Sequence, residues 1–213
     1  MMVLSVRFNS EIRSIMDDKD IKIGLVIMAS GLSKRFGRNK LMETIVDRPL
    51  IKWIIDVTEG LFDKRVVVTR NADVKALCDA LNIECIVHEF PHRNDTVRLG
   101  LSALMKDVNY CFFTPGDQPL ISRESIVKLI HAAKENKDKI IRTGFCGKSG
   151  APAGFPKVFF DELLTLPEGK GGSLIIKNNQ ELVHSVEVEH EYELFDIDTV
   201  SDLKVVKDIL NAQ

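Results

Sequence analysis

The chain has 213 residues, 45% of them hydrophobic and 28% charged, a balance that suits one globular domain with a substantial core. Its net charge of −2 offers no overall basic excess for nucleic acid or for an anionic membrane surface. No apolar run approaches the roughly 18 residues that a membrane helix needs, and the four cysteines have neither C-x-x-C nor zinc-type spacing, so a reduced, cytoplasmic setting is the simplest expectation.

Residues 1–20 carry Arg7, Glu11 and Arg13, which interrupt any signal-peptide core. The segment reads either as an outer helix or as leader sequence before an alternative start at Met16, and the domain pattern runs over 21–213. The first strand is expected at 23–28, an apolar run of the kind found in buried parallel sheets. It feeds A-S-G-L-S-K-R-F-G-R-N-K-L, residues 29–41, with cations at Lys34, Arg35, Arg38 and Lys40 and no acid from Ala29 through Met42. Gly31 and Gly37 permit tight turns and a close backbone approach to a ligand. A concentrated positive field at the carboxyl end of a strand suits a polyphosphate. Asn39-Lys40-Leu41 rules out a Walker A loop, and the glycine spacing rules out the dinucleotide fingerprint. The bland alternative is a solvated basic turn.

Strands are then expected at 65–69, 84–88 and 110–114, alternating with helices at 49–61, 72–81 and 96–105. This is a parallel α/β pattern. Asn94-Asp-Thr-Val-Arg-Leu-Gly100 places Thr96 where a helix should begin, and the free N–H groups there suit an anion. Arg98 fits a nucleotide contact and a pairing with a nearby acid equally well. After the strand at 110–114 comes Thr114-Pro-Gly-Asp-Gln-Pro-Leu120, which holds Asp117 rigidly beside the sheet crevice. A hard cation such as Mg²⁺ takes carboxylate, phosphate and water oxygens, so Asp117 is a candidate ligand; its alternative role is capping a helix near Ser122.

In the second half a helix is expected at 123–135, strands at 139–145, 182–188 and 193–197, and a last helix at 200–210. Residues 150–156 read as a Gly/Pro-rich turn before a helix. In Asp196-Ile-Asp-Thr199 the two aspartates, two apart on a continuing strand, would face one side and give a second metal carboxylate opposite Asp117. Asp198 is preferred and Asp196 is close behind, while Thr199 or Asp198 also suits a helix cap. The five histidines show no metal-ligand spacing, with His92 at most on a site rim.

The loop at 29–41 resembles the signature of the MobA-like nucleotidyltransferases, approximately L-A-A-G-x-S-x-R-F/M-G-x-x-K-L, and is most similar to the molybdenum cofactor cytidylyltransferase branch. The resemblance extends to G-D-Q-P around Asp117 and to D-I-D-T at 196–199. It implies a single Rossmann-like α/β domain built as three layers on a mixed sheet. It also implies that Arg35 and Lys40 neutralise phosphate charge, with Ala29, Ser30, Gly31, Ser33, Gly37, Thr96 and Arg98 around the nucleotide. Asp117, with Asp198 or Asp196, would hold Mg²⁺, making Arg35, Lys40 and Asp117 the catalytic set. The implied reaction transfers CMP from CTP to the phosphate of molybdopterin, with a molybdoenzyme as eventual recipient. CTP rests on Ala29-Ser30-Gly31, since a side chain at position 30 crowds a purine. The same resemblance leaves room for a guanylyltransferase, for transfer to a sugar or polyol phosphate, and for a nucleotide-binding accessory protein without turnover. The last is suggested by Glu168-Gly-Lys-Gly-Gly-Ser173, which lacks the aspartate and arginine of the family's G-D-x-G-x-R. Residues 150–156 would line the acceptor side.

Overall fold

The computed structural model describes residues 21–31 and 36–212, so the expectations for residues 1–20 and for Ser33, Lys34 and Arg35 lie outside the described residues. In chain order the elements are β1 (Ile23–Ala29), a hairpin of β2 (Thr44–Ile45) and β3 (Arg48–Pro49), α1 (Leu50–Val57), β4 (Lys64–Thr69), α2 (Ala72–Ala80), β5 (Cys85–Val87), α3 (Arg93–Leu104), β6 (Tyr110–Pro115), α4 (Arg123–Glu135), β7 (Ile140–Phe145), β8 (Lys148–Pro156), α5 (Phe160–Leu164), α6 (Ser173–Asn178), β9 (Val183–Glu187) and α7 (Val200–Asn211).

Seven strands form one sheet in the order β5-β4-β1-β6-β8-β7-β9. β1 is buried at every residue but Met28, as its unbroken apolar run requires, and pairs in parallel with both β4 and β6. The sheet turns mixed at β8, which runs antiparallel to β6 and β7. Leu25 and Ile27 of β1 pack beneath α1, α2, α4 and α7, whereas Val26 joins the core under α3, α5 and α6. The two helical layers around one sheet are the three-layer α/β architecture that the sequence pattern implies.

Three local expectations need correction. Residues 150–156 are strand rather than turn, forming most of β8. Residues 193–197 form no strand: a 3-10 turn spans Glu191–Leu194, and Ile197 N–H donates to the Asp117 carbonyl (3.0 Å), a loop-to-loop bond rather than a ladder. The third helix starts at Arg93, not Thr96, because His92 N–H donates to Asp95 Oδ2 (3.3 Å) and begins the helix a turn earlier.

Candidate functional site

From β1 the chain proceeds to β4 and β5 on one side, and β6 lies on the other, so the carboxyl ends of β1 and β6 make the topological switch point of the sheet. A cleft of about 280 Å³ opens there, bordered by Ser30, Gly31, Lys40, Arg70, Thr96 and Asp117. Ser30 and Gly31 leave β1, Asp117 follows β6, and Gly116 N–H donates to the Met28 carbonyl (3.0 Å), which keeps the two strand ends together.

Lys40 organises this cleft. It lies in a 3-10 turn, Lys40–Met42, whose start is fixed by Asn39 Oδ1 accepting from Leu41 N–H (3.3 Å). Its side chain is buried, and Nζ reaches Asp117 Oδ2 (2.5 Å), Asp198 Oδ1 (3.3 Å) and the Ile197 carbonyl (2.5 Å). A buried ammonium needs such partners, since desolvation penalises it otherwise. Asp198 leads into α7, where Asp202 Oδ2 accepts from the N–H groups of Asp198 (3.0 Å) and Thr199 (2.7 Å), and Thr199 Oγ1 accepts in return from Asp202 N–H (3.2 Å). Thr199 is therefore the cap, and the Asp198 carboxylate is left to face Lys40. Asp196 is exposed as a residue, yet partial desolvation of its carboxyl, followed by the charges of Asp117 and Asp198, pushes it up to about 6.

Among the described residues no cluster of three or more acidic, histidine or cysteine side chains forms a complete metal cage. The chemistry of the donor set still fits Mg²⁺, which commonly binds through one or two carboxylates and fills its remaining positions with phosphate and water oxygens. Lys40 supplies one positive charge to the two carboxylates of Asp117 and Asp198, so the acids outnumber the cation that holds them.

At the opposite wall Ser30 Oγ donates to the Val68 carbonyl (3.1 Å) and sits 2.8 Å from His88 Nε2. Because that hydroxyl proton is committed, His88 donates from Nε2, which leaves its buried Nδ1 without a partner. Burial, with Arg70 nearby, pulls the imidazole below its ordinary value, so it is neutral at pH 7. Arg70 donates from Nε (2.9 Å) and Nη2 (2.6 Å) to the Ser30 carbonyl and thereby fixes the turn after β1.

The structure thus brings Ser30, Gly31, Lys40, Thr96 and Asp117 to one cleft, with Asp198 bonded to Lys40 and Asp196 in electrostatic reach. Ala29 is the buried end of β1, its carbonyl accepting from Thr69 Oγ1 (3.0 Å). Gly37 adopts φ +76°, the left-handed turn for which its glycine is needed, but does not line the cleft. Arg98 lies apart from the cleft wall, near Asp95 (3.4 Å) and over the Phe90 ring (5.5 Å). Ser33 and Arg35 lie outside the described residues. The segment 168–173 folds onto the start of α3, with Gly169 N–H donating to Asn94 Oδ1 (2.9 Å) and His92 Nε2 2.9 Å from Glu168.

Sequence reasoning missed two cleft residues and one residue that braces the Asp117 turn. Arg70 and Arg93 border the cleft, and Gln118, fully buried, donates from Nε2 to the Ala151 (2.8 Å) and Glu193 (2.7 Å) carbonyls, tying the Asp117 turn to β8 and to the segment before Asp196. A signal existed for Arg70: it directly follows β4, at the same carboxyl edge of the sheet.

Comparison with known proteins agrees with this architecture. A profile described as MobA-like NTP transferase domain matches residues 25–185. The chain is 28% identical over 127 residues to the probable molybdenum cofactor guanylyltransferase of Natranaerobius thermophilus, covering 56% of this chain and 58% of that protein. It is 28% identical over 126 residues to the 2-C-methyl-D-erythritol 4-phosphate cytidylyltransferase of Alkaliphilus oremlandii, covering 54% and 53%. These alignments span just over half the length of the curated relatives. Among solved structures, Rv0371c from Mycobacterium tuberculosis H37Rv superposes with a TM-score of 0.78 at 21% identity, over 88% of this chain and 98% of that one, which shows a shared fold.

Proposed function

The chain belongs to the MobA-like NTP transferase family, and on that premise we propose that it transfers a nucleotidyl group from an NTP to a phosphorylated small-molecule acceptor, releasing pyrophosphate. The observation that carries this reading is the Lys40 ammonium between the Asp117 and Asp198 carboxylates at the switch point of the sheet. An acceptor phosphate is already ionised, so the reaction needs charge neutralisation and alignment rather than a strong base. Asp117 and Asp198, with Asp196 behind them, would hold Mg²⁺. The cation supplies charge neutralisation at the phosphates when bound. Lys40, with Arg35 of the loop beyond the described residues, neutralises the departing pyrophosphate. N–H groups near Gly31 and Ser33 align the triphosphate.

CTP is the nucleotide we assign. Ser30 is held by Val68 and His88, so its side chain occupies fixed space beside Gly31 where a larger base would press. Molybdopterin is the assigned acceptor, on the names of relatives. GTP is the second reading, favoured because curated relatives from Natranaerobius thermophilus and Aquifex aeolicus are named guanylyltransferases. Pyrophosphate release measured with each NTP against a panel of phosphorylated acceptors tests both readings. Release with CTP and molybdopterin supports the assignment, release with GTP moves the chain to the second reading, and no release with any pair contradicts transfer.

A further inference from the structure

Two cysteines of this chain face each other across one layer of the fold. Cys78 lies on α2 and is fully buried, with Val74 one turn earlier on the same face of the helix, so both point at the sheet. Cys85 opens β5, the edge strand, whose neighbour is β4. Its register partner is Val67, part of the core under α2. Cys85 packs on that core, while the next residue, Ile86, packs on the opposite one. The connection at 81–84 brings helix end and strand together. Ile83 N–H donates to the Cys78 carbonyl (2.9 Å), and Asn82 takes the left-handed conformation (φ +58°) that doubles the chain back. The two thiols are hydrogen-bonded to each other. Cys111 lies in the core of the other face, and Cys146 is exposed in the turn between β7 and β8.

The pair is asymmetric. The bond to Cys85 and burial both push the Cys78 thiol up, so it keeps its proton. The same bond holds Cys85 below its ordinary value against desolvation, and the charge of Lys75 on α2 adds to the effect. Cys85 is partly exposed at the edge of the sheet, within reach of a small solute. Beyond β5 the chain reaches His88, whose N–H donates to the Thr69 carbonyl (3.1 Å) and whose Nε2 stands 2.8 Å from Ser30 Oγ on the cleft wall.

We propose that Cys78 and Cys85 are a peroxide-sensing dithiol whose closure to a disulfide draws β5 toward α2 and moves the His88–Ser30 wall of the cleft. The Cys85 thiolate attacks one oxygen of hydrogen peroxide. An S–O bond forms, the O–O bond breaks, and the departing hydroxide takes up a proton as water. The Cys78 thiol then attacks that sulfur: S–S forms, S–O breaks, and the hydroxide leaves with the Cys78 proton as a second water. Two thiols and one peroxide give one disulfide and two waters. The new bond needs the sulfurs closer than a thiol–thiol hydrogen bond holds them, and β5, paired on one side by β4, yields more readily than the buried face of α2. His88 follows because it continues the same segment.

The test exposes the full chain to hydrogen peroxide, quenches with iodoacetamide in denaturant and maps the tryptic peptide of residues 76–93, which carries both cysteines. That peptide should become unalkylated and lighter by two hydrogens, and dithiothreitol should restore it, while Cys111 stays alkylatable. Cys78→Ser should stop at a sulfenic acid on Cys85 that dimedone traps, and Cys85→Ser should leave Cys78 unreacted. In ¹⁵N-labelled protein without nucleotide, closure should shift the Ser30 and His88 amides, and dithiothreitol should return them. Both cysteines still alkylatable once Cys146 has been oxidised, or sulfonic acids with no bond between them, overturns the dithiol. A disulfide that leaves the Ser30 amide unmoved overturns the switch. If Cys78→Ser does not fold, the peptide map of the unaltered chain and Cys85→Ser decide. No readout uses a nucleotide, so the outcome is independent of the transfer reading.

Discussion

The Lys40 ammonium lies 2.5 Å from the Asp117 carboxylate, and this one contact joins the loop after β1 to the turn after β6. Asp198, 3.3 Å away, brings in the segment before α7. Three stretches far apart in sequence therefore meet at a single buried charge. For a nucleotide to bind as proposed, Lys40 would exchange carboxylate for phosphate and Asp117 with Asp198 would hold the divalent cation; until then the ammonium holds the two acids together.

Replacing Lys40 by alanine should lower turnover by about 10²- to 10³-fold, the usual cost of removing one donor to a charged transition state. It also leaves Asp117 and Asp198 facing each other without their shared cation. The melting temperature of Lys40→Ala should accordingly drop at low ionic strength and recover in part when MgCl₂ is added. Turnover close to that of the unaltered protein contradicts the phosphate role.

Ser30→Gly should narrow the preference for CTP over GTP. One poorly fitting group is worth about 1–3 kcal/mol, so a ten- to hundredfold ratio of kcat/KM should shrink toward unity. A ratio unchanged by the substitution means that Ser30 does not set the base.

Gln118→Leu removes the donor to two buried carbonyls, Ala151 and Glu193. Leaving buried acceptors unpaired costs about 1–3 kcal/mol, readable as a lower urea midpoint. Because Gln118 adjoins Asp117, kcat should fall more than stability alone explains. Gln118→Glu, which can donate at most one of the two bonds and only while protonated, should not restore the unaltered midpoint.

Acid stability should depend on Glu193. Burial alone would raise this carboxyl, but hydrogen bonds from Ser125, Ser122 and His190 more than offset it and hold the group below its ordinary 4.5. A carboxyl depressed in the folded state contributes stability that is fully present above 4.5 and lost as pH falls through the lower folded value. Denaturant midpoints of the unaltered protein should therefore fall on acidification below about 4.5, and Glu193→Gln should flatten that part of the profile. An identical acid slope in the two proteins removes Glu193 as the cause.

The parallel half of the fold is legible in the sequence because β1, the Val66–Val68 centre of β4 and most of β6 are apolar runs between amphipathic helices, and α4 was placed at its observed ends. β8 was not, since Gly150, Pro152, Gly154 and Pro156 all argue against strand. Packing overrides composition there: a side chain at Gly154 would meet the Tyr110 and Phe112 rings at 2.6 Å, so only glycine lets β8 pass β6. α6, six residues long, is too short to show a helical period. At the site, Lys40 and Asp117 were legible from their motifs, whereas the reason that Asp198 faces them was not. It follows from the Ile197–Asp117 backbone bond and the Thr199–Asp202 cap, not from strand alternation. The approach of Cys78 to Cys85 gave no signal because it exists only after β5 pairs with β4 and α2 packs over that row.

The account stands most directly on Asp117→Asn, which keeps the shape of the side chain and removes its charge. The measurement is pyrophosphate release from CTP and phosphorylated acceptor over a series of MgCl₂ concentrations, alongside the melting temperature. We expect release to fall by about 10²-fold or more, with only partial recovery at high MgCl₂, and a melting temperature lowered but not abolished, because Asp198 and the Ile197 carbonyl still hold Lys40. Undiminished release by a correctly folded Asp117→Asn protein would contradict the site proposed here.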